Sequence, residues 1–140
     1  MSEGRSVNQA CSHARFACPS MELLSAVATG VVALLHAGFL VLEMFLWDTP
    51  TGRRVFGTSR EFATESKALA ANQGLYNGFL AAGLAWGLWM GDAGEGIRMF
   101  FLLCVVVAGV FGAITASRAI LWVQAVPALI ALGLSLLAGR

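Results

Sequence analysis

Residues 23–47 read LLSAVATGVVALLHAGFLVLEMFLW, an apolar run in which only a few polar side chains are set. An α-helix needs roughly 20 residues to cross about 30 Å of hydrocarbon, and this run is long enough. Three further apolar runs follow, at 69–90, 99–116 and 119–138. Because lipid offers the backbone no hydrogen bonds, each run must satisfy its own amides as a helix, and short connections favour antiparallel neighbours. The sequence predicts an all-α membrane protein, a four-transmembrane-helix up-and-down bundle in a single domain at 21–140.

Composition supports the same class and excludes others. Of the 140 residues, 58% are apolar and 12% charged, whereas a soluble globular domain has about a quarter charged. The net charge of +1 gives no basic patch or stripe of the kind that nucleic-acid binding requires. The expected partner is therefore the lipid bilayer, and no nucleic acid is expected.

The first twenty residues are polar and lack the apolar segment of a secretory signal. We interpret 1–20 as a flexible tail or as a mis-annotated start, because Met21 directly precedes the first apolar run. Cys11, His13 and Cys18 lie in this tail, but three potential ligands without a fourth are a weak match to a zinc site. Nothing in the pattern indicates a metal or another cofactor.

The positive residues that flank the spans predict the orientation, since cytoplasmic loops are enriched in Lys and Arg. The first and third loops carry five such residues, against four on the other face when the tail is counted: Arg53, Arg54, Arg60, Lys67 and Arg118, against Arg5, Arg15, Arg98 and Arg140. We expect a multi-pass protein of the bacterial inner membrane with both termini outside. The first loop is either an interfacial amphipathic segment or a plain solvated loop.

Polar side chains recur at one depth in the predicted spans, close to their cytoplasmic ends. These candidates for a binding site are Glu43 and His36 in the first span, Asn72, Gln73, Tyr76 and Asn77 in the second, Thr115 in the third and Gln124 in the fourth. At 1.5 Å per residue, all except His36 lie within about two turns of that membrane face, and His36 lies about 10 Å further in than Glu43. The spacing allows all of them to point inward, so the sequence predicts a polar pocket near the cytoplasmic leaflet.

Each candidate also has a plainer interpretation. An ionisable group inside a membrane is a functional-site hypothesis by default, but Glu43 could instead reach the interface beside Arg53, Arg54 or Lys67. His36 could be a neutral imidazole bonded across the bundle, and the amides could be interhelical hydrogen bonds worth about 0.6 kcal/mol each.

Small residues recur at intervals of four in the second and third spans. Gly74 and Gly78 form a GxxxG pattern, Gly83 and Gly87 continue the spacing, and Gly109 with Ala113 repeats it. Such stripes let helix backbones approach closely. We expect them to pack helices within the chain, and they also offer faces for a homo-oligomer.

Four strings resemble a known family. They are HAGFLVLEMFLWDTPTGRRVFG (36–57), KALAANQGLYNGFLAAGLAWG (67–87), FFLLCVVVAGVFGAITASRAIL (100–121) and VQAVPALIAL (123–132). Together they resemble the domain of unknown function 1304 family, small four-span bacterial integral membrane proteins, over about 21–137. The resemblance implies the fold and no activity. Phe111 departs from the family, where a tyrosine is usual, and so does the additional tail.

Three functions are compatible with these residues. The first is binding or transport of a small molecule or lipidic ligand in the polar pocket, with Glu43 as its protonatable group. The second is a structural or accessory subunit that associates through its glycine faces. The third is a lipid-acting enzyme with Glu43 and His36 as acid and base, against which stand their separation along the helix and the lack of a nucleophile.

Overall fold

The computed structural model describes residues 19–139, with side chains from residue 21, and the predicted tail or alternative start at 1–20 therefore lies almost entirely outside the described residues. Helices joined by short turns make up the described part, which contains no strand, and this confirms the all-α prediction. Its α-helices are α1 (Pro19–Phe45), α2 (Pro50–Phe56), α3 (Arg60–Glu65), α4 (Lys67–Trp89), α5 (Glu95–Thr115) and α6 (Val126–Ala138).

The four long helices pack in a ring in which α1 contacts α4 and α6, while α5 contacts α4 and α6 on the other side. Side chains from all four helices meet in the centre and are almost fully buried. This core consists of Val32, Leu84, Leu102, Val105, Ala128 and Ala131. The ring order is the one expected when consecutive long helices pack side by side.

Three segments are long and apolar enough to cross a membrane: Met21–Phe45, Gly91–Thr115 and Leu121–Ala138. The fourth predicted span, at 69–90, is a helix of 23 residues, but its amides and glycines make it less apolar than the other three. Three helices of the described structure thus have the length and composition needed to cross a membrane. Crossing by α4 remains a prediction.

The third span begins earlier than its apolar run. Asp92, Glu95 and Arg98 precede or open the run, so apolarity alone places the start at residue 99, whereas α5 begins at Glu95 after a 3₁₀ turn at Gly91–Gly94. Charged residues form the first turn of the helix because a helix does not need to be apolar where it leaves the membrane.

A π-helical turn at Leu121–Ala125 opens the fourth long segment. The N–H of Val126 bonds to the carbonyl of Leu121, five residues back, and Pro127 follows. Proline lacks an N–H and its ring clashes with the carbonyl four residues earlier, and a π turn relieves that clash by widening the helix. Pro127 is therefore accommodated by this widened turn.

The first loop folds into two short capped helices, so neither of its two predicted forms describes it fully. Thr49 and Ser59 accept hydrogen bonds from the backbone N–H groups of Gly52 and Phe62, at 3.3 and 3.2 Å, which caps α2 and α3. The Trp47 indole packs on Phe56, with ring centroids 4.8 Å apart, and donates to the Ser66 hydroxyl at 3.0 Å. These contacts hold the loop against the adjoining ends of α1 and α4.

The glycines of the predicted stripes pack helices within the chain, as expected. A Cβ on Gly74 would lie 3.0 Å from the backbone nitrogen of Met44, and one on Gly83 would overlap the Phe101 ring. A Cβ on Gly109 would lie 2.7 Å from the nitrogen of Ala125, in the π-helical turn. These three positions are therefore occupied by neighbouring helices of the same chain, and association of two copies through the glycine-rich faces stays a prediction.

We expect Gly109→Ala to lower the free energy of unfolding by about 1–3 kcal/mol, because the new methyl meets rigid backbone. Gly133→Ala is the matched control, since a Cβ there meets nothing within 4 Å. That variant should be neutral or stabilising by about 0.5–1 kcal/mol, as alanine favours helix. Denaturant titration in detergent followed by circular dichroism measures both, and equal effects would contradict the close approach at Gly109.

Candidate functional site

A carboxyl and an amide meet between α1 and α4. The Asn77 side chain donates a hydrogen bond of 2.6 Å from Nδ2 to Glu43 Oε2. Asn77 is 2% exposed, whereas Glu43 is half-buried. Gly74, one turn before Asn77, allows this contact, because a Cβ there would lie 3.1 Å from the Cβ of Glu43. The structure thus brings two of the predicted site residues into direct contact, and whether they form a binding site stays a prediction.

Glu43 has no basic partner among the described residues. Lys67 Nζ instead lies 3.0 Å from Asp48 Oδ2, and this is the ion pair found among the described residues. The hydrogen bond from Lys67 and its positive charge lower the pKa of the Asp48 carboxyl. The Arg53 guanidinium donates to the backbone carbonyl of Asp48. The alternative in which Glu43 reaches towards the basic residues of the first loop therefore does not describe this structure.

His36 lies two turns further into the bundle on the same face of α1. It is 1% exposed, its Nδ1 is 2.9 Å from the Val32 carbonyl oxygen, and its ring meets Phe39 edge-on at 5.8 Å. A carbonyl only accepts, so Nδ1 carries the hydrogen, and in the neutral ring Nε2 is left with a lone pair. This Nε2 is buried and has no hydrogen-bond partner within residues 19–139.

The expectation that every polar residue of α4 points inward is wrong for three of the four. Asn72 and Gln73 are exposed, and Tyr76 is 53% exposed with its ring beside Phe79. They face outward because α1 packs on the opposite side of α4, against Gly74 and Asn77. Whether they bind a ligand remains a prediction, but they do not join Glu43.

Thr115 and Gln124 do not complete the predicted pocket either. Thr115 is exposed, and its hydroxyl donates to the Phe111 carbonyl of its own helix at 2.8 Å. Gln124 is half-buried in the π-helical turn, and its side chain makes no hydrogen bond within the described residues. Similar depth in the membrane therefore did not imply contact, since the rotation of each helix decides where its side chains point.

Sequence reasoning missed three buried hydroxyls. Ser25 Oγ and Ser135 Oγ are 2.7 Å apart, and Ser135 also donates to the Ala131 carbonyl at 3.0 Å. Thr29 is fully buried and its hydroxyl has no hydrogen-bond partner. The sequence did contain a signal for Ser25 and Thr29, because their spacing from His36 and Glu43 places all four residues on one face of a helix. Nothing in the sequence marked Ser135.

One cavity of the described structure lies at the opposite end of the bundle from Glu43. It has a volume of about 710 Å³ and is partly open. Polar side chains from the start of α1, from the turn before α5 and its first residues, and from α6 line it, among them Glu22, Ser25, Asp92, Glu95, Arg98 and Ser135. Arg98 donates to the Gly91 carbonyl at 3.0 Å. The prediction of a pocket beside Glu43 thus stays a prediction, while this cavity was not foreseen.

No group of three or more His, Cys, Asp or Glu within residues 19–139 is arranged to hold a metal ion. Cys11, His13 and Cys18 lie outside the described residues.

We expect Asn77→Ala to lower the free energy of unfolding by about 1–3 kcal/mol, because it leaves the carboxyl of Glu43 without its hydrogen-bond partner. Asn72→Ala is the matched control on the same helix, and since Asn72 is exposed its effect should stay within about 0.5 kcal/mol. Unfolding of both variants in detergent measures the difference. A larger loss for Asn72→Ala would show that the rotation of α4 is misassigned.

Comparison with known proteins assigns the chain to a family. The model of a family described as "Protein of unknown function (DUF1304)" matches residues 30–136. The chain is also similar to the "Uncharacterized protein YpaA" of Lactococcus lactis subsp. lactis (strain IL1403), with 29% identity over 114 residues, covering 80% of this chain and 96% of that protein. No solved structure gives a significant match. The matched region covers α4 and α5 completely, most of α1 and α6, and the Glu43–Asn77 contact, and the chain belongs to the DUF1304 family.

Proposed function

We propose that this protein binds and moves a small cationic molecule across the bacterial inner membrane, with Glu43 as the binding group. The observation that carries the proposal is the setting of Glu43. Its carboxyl lies in an apolar helix, accepts a hydrogen bond from buried Asn77 and has no basic partner in the described structure. An ionisable residue in a membrane helix is energetically costly, and such residues commonly mark functional sites.

Such a carboxyl has two ways to avoid an uncompensated negative charge. It can hold a proton, or it can release the proton and pair with a cation. A cation and a proton then compete for the same oxygen atoms, and binding of one displaces the other. Because the surrounding helices are apolar, the cation that fits best is a lipophilic organic one.

The proposal includes four membrane crossings. At 1.5 Å per residue the 23 residues of α4 extend over about 34 Å, enough for the hydrocarbon core. On its two sides α4 packs against α1 and α5, which are both apolar enough to cross. With the first loop on the cytoplasmic side, as its Lys and Arg residues favour, both termini lie outside and Glu43 lies near the inner leaflet.

A structural or accessory role is the second candidate, favoured by the outer face of α4. Asn72, Gln73 and Tyr76 are exposed there, at depths where lipid offers no hydrogen bonds. An amide both donates and accepts, so a second copy of the chain could satisfy these groups across a two-fold axis.

A lipid-acting enzyme has less support, because the Nδ1 of His36 is used within its own helix and the residue lies about 10 Å along the axis from Glu43.

The binding proposal predicts that the purified protein in detergent binds tetraphenylphosphonium more tightly as pH rises and the carboxyl loses its proton. Glu43→Gln should weaken this binding by about tenfold or more, the effect of losing an interaction worth 1.5–3 kcal/mol. Glu61→Gln is the control, because Glu61 is an exposed carboxyl of the first loop. Equilibrium dialysis gives the affinities, and binding that is unchanged in Glu43→Gln would overturn the proposal.

The accessory candidate makes a different prediction. The double variant Asn72→Leu with Gln73→Leu should abolish cross-linking of two copies in membranes, because the amides lose their partners. Exchanging the amides, as Asn72→Gln with Gln73→Asn, keeps the same chemistry and should retain cross-linked dimers. A wild-type protein that never cross-links to itself would contradict a second copy as the partner.

A further inference from the structure

The buried polar side chains of the described structure either lie on one line along α1 or are hydrogen-bonded to it. Ser25, Thr29 and His36 are buried on the inner face of α1, and Glu43 continues this face to the first loop. The two remaining buried polar residues are bonded to the same line, since Ser135 meets Ser25 and Asn77 meets Glu43. We refer to Ser25, Thr29, His36 and Glu43 as the α1 polar line.

The geometry of a helix makes this a continuous stripe. The four residues are spaced by four, seven and seven, which keeps them within a sector of about 40° at 3.6 residues per turn. From Ser25 to Glu43 the line covers about 27 Å along the axis, close to the thickness of the hydrocarbon core. A polar stripe of this length faces the interior of the bundle from one side of the membrane nearly to the other.

Two polar atoms of this line are buried without a hydrogen-bond partner. They are the hydroxyl oxygen of Thr29 and Nε2 of His36. An unsatisfied buried polar group costs about 1–3 kcal/mol, and proteins commonly satisfy such groups with internal water. Since Nδ1 of His36 donates to the Val32 carbonyl, its Nε2 is oriented to accept a proton or a hydrogen bond from water.

Both ends of the line lie at accessible surface of the bundle. Ser25 and Ser135 line the partly open cavity of about 710 Å³, which also holds charged side chains. At the other end Glu43 is half-buried and therefore partly accessible. Between the ends, the core side chains Leu84, Leu102 and Val105 are fully buried and would exclude hydrated ions.

We propose that the α1 polar line is a proton path between the cavity and Glu43, in which His36 accepts and then donates the proton at the middle of the path. A hydronium ion that arrives through water from the cavity side donates a proton to that lone pair and becomes water, and the ring becomes an imidazolium while Nδ1–H stays bonded to Val32. The imidazolium then gives the Nε2 proton to a water molecule on the Glu43 side, which becomes hydronium and in turn protonates the Glu43 carboxylate, so that only N–H and O–H bonds break and form. The inference rests on the proposed proton exchange at Glu43 and supplies the route by which that proton reaches the far side.

The groups that face this path favour a proton over other ions. Val32 flanks His36 on α1, and α4 contributes Asn77 as its buried polar residue, bonded to Glu43. The titratable side chains of the cavity are Glu22, Asp92, Glu95 and Arg98, all at the Ser25 end. A proton entering there meets carboxylates first, and a cation larger than a proton meets the apolar core.

The test is proton flux into liposomes that contain the full chain and the pH-sensitive dye pyranine, with potassium and valinomycin present to balance charge. Flux is recorded with and without tetraphenylphosphonium outside. We expect wild-type flux above that of protein-free liposomes, loss of this flux in His36→Phe and a reduced flux in Thr29→Val. Thr115→Val is the matched control, because Thr115 is exposed and bonded within its own helix, and its flux should equal the wild type.

Wild-type flux at the protein-free level under both conditions would overturn the proton path, as would wild-type flux in folded His36→Phe. His36→Gln, which keeps a polar side chain but does not ionise, serves if the phenylalanine variant fails to fold, and it should also lose flux. Measuring tetraphenylphosphonium binding to the same variants distinguishes failure of the proton path from failure of the cation site at Glu43. If His36→Phe retains binding and flux, the cation site stands and the path is wrong; if Glu43→Gln alters neither binding nor flux, the site is wrong.

Discussion

The rest of the structure depends on one constraint: inside a membrane, polar groups find hydrogen bonds only within the protein or in water that the protein admits. The backbone meets this constraint by forming helices from residue 19 to residue 138, with few interruptions. The buried side chains meet it less completely. Asn77 and Ser135 bond to Glu43 and Ser25, whereas Thr29 and His36 retain unpartnered atoms.

Close backbone approach determines which polar groups meet. Gly74 brings α4 onto α1 beside Glu43, and without that contact the Asn77 amide would not reach the carboxyl at 2.6 Å. Gly109 does the same for α5 and the π-helical turn that precedes Pro127. In the second predicted span the glycines and the polar residues thus have different roles. The glycines set the distance between α4 and α1, and that distance decides whether the Asn77 amide can bond to Glu43.

The ends of the bundle differ in character. The first loop closes one end with two capped helices, the Trp47 and Phe56 rings and the Lys67–Asp48 ion pair. The other end opens into a cavity with carboxylates and one guanidinium. Glu43 therefore lies beside the capped first loop and remains half-buried, whereas Ser25 lies on the wall of the open cavity.

Much of the fold was predictable, because long apolar runs in a chain with few charges have one stable form in lipid. The all-helical architecture and the packing role of the glycines followed from run length and spacing. The start of α5 did not, since charged residues such as Glu95 hide the first turn of a helix that leaves the membrane. The candidate site was predicted in part: Glu43 and Asn77 meet, but Asn72, Gln73, Tyr76 and Thr115 face outward.

The sequence by itself determined that this is a helical membrane protein of the DUF1304 family with a carboxyl in its first long helix. It also determined the spacing that aligns Ser25, Thr29, His36 and Glu43, since residues on one helix share a face by periodicity alone. Only the tertiary structure decided that this face is the buried one and that Asn77 and Ser135 are its partners. Relations between helices depend on rotation and crossing, which are fixed by packing at positions such as Gly74, and no local pattern in the sequence encodes them.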